Sequence, residues 1–120
     1  MGFWREEIID PALDQQTRLS MEEQMAWIAR EPHNARPYYQ LALLYRMQWR
    51  QEEALGLLLE SVRLDPGLSE AHCSLAEIYG VRKDYPAAWR HARAAQRNGS
   101  SAGVELLARY GIPETLGGSG

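Results

Sequence analysis

The chain carries one cysteine, Cys73, one phenylalanine, Phe3, and one lysine, Lys83, in 120 residues. A single thiol excludes an internal disulfide and fits a reducing compartment. His33, His72, His91 and Cys73 show neither CxxC nor HxxxH spacing, so no pair of soft ligands shares a helix face and no metal site is expected. Cys73 follows His72, yet neighbouring helical residues point about 100° apart. With no orienting carboxylate evident, an activated thiol is disfavoured. Glycine-rich phosphate loops, GxSxG elbows and CxxCH haem attachment are all missing. These absences predict a chain that is not an enzyme and uses no cofactor.

Long apolar runs are missing too. The longest, Leu55 to Leu59, falls far short of the roughly 20 residues that span a bilayer. The opening Met-Gly-Phe-Trp-Arg-Glu-Glu lacks the basic, apolar, small order of a secretory leader, and Glu6 stands where myristoylation wants Ser or Thr. Nor is there a basic excess: the net charge is -3, which disfavours nucleic acid as a partner. With 45% hydrophobic and 24% charged residues, the expectation is one soluble, cytoplasmic domain without direct membrane insertion.

What the sequence does contain is a pattern written twice. Tyr38, Leu41, Ala42, Tyr45, Ala54, Leu58 and Pro66 are followed 34 residues later by His72, Leu75, Ala76, Tyr79, Ala88, Ala92 and Ser100. A period of 34 marks a helix-turn-helix unit that buries its apolar face only by stacking on neighbours. Helical spacing agrees: Tyr38, Leu41, Ala42, Leu44 and Tyr45 form one stripe, and Ala54, Leu55, Leu58 and Val62 the next. Pro37 suits a first turn, and Asp65-Pro66-Gly67 stops a helix. Ser69 is the expected N-cap of the following helix and Gly80 its end. Asp84, Pro86 and Gly99 bracket the last one. Ser20 with Glu23 reads as a capping box, predicting a helix from about Ser20 to Arg30. Connections this short make the helix pairs antiparallel.

The spaced residues resemble the tetratricopeptide repeat, whose pattern runs W-x2-L-G-x2-Y, A-x3-F, P. Tyr38 stands for the Trp, Leu41-Ala42 for Leu-Gly, Tyr45 for Tyr, Ala54 for Ala, Leu58 for Phe, and Pro66 closes the unit. The second copy departs at His72, Ala92 and Ser100, which places the end of the array nearby. Counting back one period from Pro66 gives Pro32, so a divergent first unit is expected over 1–34, with Trp27 and Ile28 on its second helix. Pro11 replaces its motif Tyr, and an interior proline costs a helix roughly 3 kcal/mol. The resemblance implies an all-α, right-handed α-solenoid of antiparallel helix pairs: a divergent repeat 1–34, repeats 35–68 and 69–102, a capping helix 103–113 and a flexible tail 114–120.

It also implies a role as a non-catalytic adaptor, scaffold or assembly factor that binds a peptide or helix of a partner protein. In similar arrays, positions two, five, nine, twelve and thirteen of each unit line a concave groove. Here these are Arg36, Tyr39, Leu43, Arg46 and Met47, then Glu70, Cys73, Glu77, Gly80 and Val81. Tyr39, Leu43 and Met47 make a second apolar face on their helix, which is either core or a peptide groove, with Arg36 and Arg46 ready for an acidic group. Tyr39, Leu43 and Ser74 depart from the carboxylate clamp of chaperone-tail binders.

Three further features complete the expectations. Arg90, Arg93 and Arg97 form a basic stripe, either solvated or facing an acidic partner. The apolar Phe3, Trp4 and Ile8 either complete the first repeat or dock into a partner or a second copy, which makes a self-assembling homo-oligomer one alternative. An accessory subunit presenting substrate to a separate enzyme is another. Glu6-Glu7, Glu22-Glu23 and Glu52-Glu53 are expected at or just before helix starts, where the dipole favours them. His72 is expected to fill an aromatic slot and His91 to lie on a solvated outer face.

Overall fold

The computed structural model describes residues 11–114, all of whose regular structure is helical. Six helices follow in order: α1 Pro11–Arg30, α2 Ala35–Met47, α3 Gln51–Leu64, α4 Ser69–Val81, α5 Tyr85–Arg97 and α6 Ala102–Arg109. Phe3, Trp4 and Ile8 and the tail beyond Glu114 lie outside the described residues.

The sequence period survives in the backbone. Helix α4 begins and ends 34 residues after α2, and α5 begins 34 after α3. The turns repeat bond for bond: Trp49 N–H donates to the Arg46 carbonyl and Arg50 N–H to that of Tyr45, as Lys83 N–H does to Gly80 and Asp84 N–H to Tyr79. Trp49 and Lys83 are the two non-glycine residues with left-handed φ among those described, 61° and 65°. A bulky residue is strained there, so the recurrence shows that the turn geometry prevails over side-chain preference. The next turn also recurs, with Asn34 N–H on the Glu31 carbonyl and Leu68 N–H on that of Asp65.

Connections of three or four residues return the chain, and consecutive helices pack on one another throughout. The core is built from the predicted positions. Ala42, Ala54, Leu58, Ala71 and Leu75 are fully enclosed between α2, α3 and α4, with Leu68 and Ile78 beside them. Ala76, Ala88, Trp89, Ala92 and Leu107 form a second cluster where α4, α5 and α6 meet. The many alanines let these helices approach closely. At Gly103 a Cβ would sit 3.3 Å from the Ala92 Cα, so α6 rests almost directly on the backbone of α5.

Several local expectations are corrected. Helix α1 is already running at Ser20, so there is no capping box there, and Glu22 and Glu23 lie mid-helix. Pro11 heads the described helix, where its missing N–H is harmless. The residue before α4 is Leu68, which caps with no side-chain bond, because the helix starts at Ser69 itself. Its end is Val81 rather than Gly80, and Lys83 makes the turn. By contrast Asp84 does cap α5, accepting the Ala87 N–H, and Gly99 lies just past that helix with φ 101°. Glu114 is no part of a free tail: Arg93 Nε donates to its carboxylate at 2.9 Å.

Candidate functional site

Helices α2 and α4 carry the expected groove residues. Two ion pairs tie α2 to α4: Arg36 Nη1 to Glu70 Oε2 at 3.0 Å and Arg46 Nη2 to Glu77 Oε1 at 2.7 Å. Between these rungs Ser74 hydrogen-bonds the Tyr39 phenol, whose pKa burial and then Glu70 nevertheless raise. The Arg36 hydrogen bond holds the Glu70 carboxyl below the usual carboxylate range. Arg36 and Arg46 were expected to await a carboxylate from a partner; the carboxylates they hold belong to the chain itself. Their place is to join two successive 34-residue units. Leu43 is half-buried on the same helix, so the second apolar face of α2 is divided: Tyr39 packs on the core while Met47 stays 67% exposed.

The open part of this surface lies further along, between α4 and α6. A cavity of about 340 Å³ is lined by Cys73, Ser74 and Glu77 from α4 and by Ala102, Gly103, Glu105, Leu106 and Arg109 from α6. A second, of about 230 Å³, shares Glu77 and Leu106 with it and adds Gly80, Val81, Leu107, Tyr110 and Ile112. The two adjoin at Glu77 and Leu106 and together outline a trough along α4 and α6, mixed in polarity at the Cys73 end and apolar at the Val81 end. Cys73 Sγ lies 3.5 Å from Ser100 Oγ at its wall. Ser101 Oγ donates to Glu105 at 2.7 Å, and among the described residues Arg109 has no ion-pair partner. Val81, 79% exposed, and Tyr110, 71% exposed, stand at the rim.

The lining residues of α6 escaped the sequence reading because the register slips. Buried Gly103 and Leu107 occupy the places of Ala71 and Leu75, not 34 but 32 residues on. Shifting Glu70, Cys73, Glu77 and Gly80 by 32 gives Ala102, Glu105, Arg109 and Ile112, all of which line the trough. The signal was present as the spacing of apolar positions, but a strict 34-residue ruler passes over it.

The second candidate surface holds together less well. Arg90 and Arg97 are exposed on α5, whereas Arg93 is bound to Glu114 and Gln96 and lies over the Trp89 ring at 5.3 Å. The stripe is broken by that pairing. The carboxylate pair Glu52-Glu53 does begin a helix, with Glu53 bound to Arg50 and Glu52 to Arg82.

Histidine placement brings one further correction. His91 is not on a solvated face: it is half-buried, parallel to the Tyr79 ring at 5.6 Å, with its Nδ1 3.0 Å from the Nδ1 of His72. Burial first, then His72 and Arg90, push its pKa down from 6.5 to about 4. Among the described residues no three His, Cys, Asp or Glu side chains converge as metal ligands, and no helix is long and apolar enough to cross a membrane. No family model and no curated protein matches the chain.

Proposed function

We propose that this all-helical chain is a right-handed solenoid of the tetratricopeptide type and works as a non-catalytic protein-interaction module. The partner contributes a peptide or helix that lies along α4 and α6. The observation that carries the proposal is the trough between those helices, which positions equivalent in successive repeats line from both sides. Its apolar end at Val81, Leu106 and Tyr110 is suited to an aliphatic or aromatic anchor, and Arg109 to a carboxylate beside it. Arg36, Arg46, Glu70 and Glu77 then set the spacing of the units, while Cys73 lines the trough. The proposed setting is the cytoplasm, with another protein, and no nucleic acid, as partner.

Affinity purification from cells expressing the chain tests this, comparing wild type with a Val81→Asp, Arg109→Glu variant. Both side chains are exposed, so folding is expected to be retained. A protein recovered with wild type and lost with the variant supports the trough; equal recovery by both refutes it. A second reading, self-assembly, is favoured by the exposed Met47, Trp49 and Val81 at the ends of α2 and α4, and predicts a mass that rises with concentration.

A further inference from the structure

His72 occupies the place of Tyr38 one period earlier, and the two side chains make the same bond. Tyr38 Oη donates to the Pro32 carbonyl at 2.8 Å, and His72 Nε2 lies 2.8 Å from the Pro66 carbonyl. A carbonyl only accepts, so His72 carries its hydrogen on Nε2 and, when neutral, has a bare Nδ1. His91, which stands where the earlier unit has Leu57, fills that vacancy by donating Nδ1–H at 3.0 Å. The ring centroids are 5.3 Å apart, the N–N distance plus a ring radius at each end, so the two rings meet edge to edge along the hydrogen bond. The second unit thus replaces a phenol and an aliphatic side chain with two titratable imidazoles in series. They join the α3–α4 turn, α4 and α5.

We propose that the His72–His91 pair is an acid-sensitive latch, which loosens the α4–α5 pair on acidification while α2–α3, built with Tyr38 and Leu57 at the same places, stays closed. The groups placed around the two rings are Tyr79 on α4, Arg90 on α5 and the Pro66 carbonyl of the turn. Among the described residues no carboxylate bonds to either imidazole. Protonation of His91 charges a half-buried ring beside His72 and Arg90, which burial first and then those neighbours oppose. The sign follows: the folded state resists the proton that unfolded His91 accepts at 6.5, so protection is complete above that pH and declines as pH falls toward about 4. Glu53, Glu60, Glu70 and Glu114 are held below 4.5 by Arg50, Arg63, Arg36 and Arg93, so losses from these carboxylates come later in the descent.

Hydrogen–deuterium exchange of the full chain at about pH 7 and about pH 5, corrected for intrinsic rates, tests the latch. The expected result is a loss of protection of about tenfold in α4 and α5, with little change in α2 and α3. A His72→Tyr, His91→Leu variant restores the side chains of the first unit and removes that loss. A His91→Gln variant, which keeps an amide donor but does not titrate, does the same should the double variant fold poorly. Equal protection at both pH values, equal losses in both helix pairs, or the same loss in a folded variant overturns the proposal.

Discussion

The two helix pairs, α2–α3 and α4–α5, share a backbone and differ in how they fill it. Leu58 is fully buried in the first pair; its counterpart 34 residues on is Ala92, equally buried. The second pair makes up the missing volume largely with α6, brought against Ala92 at Gly103 and contributing Leu107 beside the pair's own Trp89. The following helix closes both sites, over a large side chain at Leu58 and over a small one at Ala92. Equivalent positions in a repeat therefore share geometry without sharing energetics, and the reduced side chain at the second site is what gives α6, and so the trough, its seat.

The sharpest way to break that comparison is to make the same kind of change at both sites. Leu58→Ala leaves a cavity enclosed by α2, α3 and α4 and is expected to cost about 2–5 kcal/mol in denaturant unfolding. Ala92→Leu, which rewrites the second site in the image of the first, has no room: it is expected to displace α6 and to destabilise by about 1–3 kcal/mol. A stabilising Ala92→Leu would show that the site has unfilled volume after all. Smaller effects separate the helix starts. Asn34 Oδ1 accepts the Arg36 N–H at 2.9 Å, so Asn34→Ala is expected to lose about 1 kcal/mol, whereas α4, which begins after Leu68 with no side-chain cap, offers no equivalent to lose. Smallest is the rung between the units. Arg36 and Glu70 are 43% and 50% exposed, so a double-mutant cycle is expected to return only about 0.2–1 kcal/mol, decreasing with salt.

Much of this arrangement was legible in the sequence because it rests on repetition. Leu41, Ala42, Ala54, Leu58, Leu75, Ala76, Ala88 and Ala92 recur at fixed intervals, and all of them are buried. Asp84 with Pro86 announced its helix by capping chemistry that needs no tertiary context. Where tertiary contact decides, local signals misled. Ser20 and Glu23 have the form of a cap but sit inside α1, and Ser69 lies one residue past the capping position. Arg36 and Arg46 were expected to meet a partner's acidic group, yet the carboxylates they bind, 34 and 31 residues away, appear only when α2 and α4 are side by side. His91 was misplaced for a related reason. Nothing near it in sequence reports that the ring across the interface is an imidazole with a free nitrogen. The trough-lining residues of α6 were hidden by a two-residue change of register, which preserves helical periodicity while defeating any fixed repeat length.

The central claim is that a partner protein lies along α4 and α6. Site-specific photocrosslinking tests it most directly, with the photoreactive residue placed in turn at Val81, Tyr110 and, on the exposed part of α5, Arg97. The account predicts that Val81 and Tyr110 crosslink to one common protein and Arg97 does not. Crosslinks to that protein from Arg97 alone, with none from either rim residue, would contradict it.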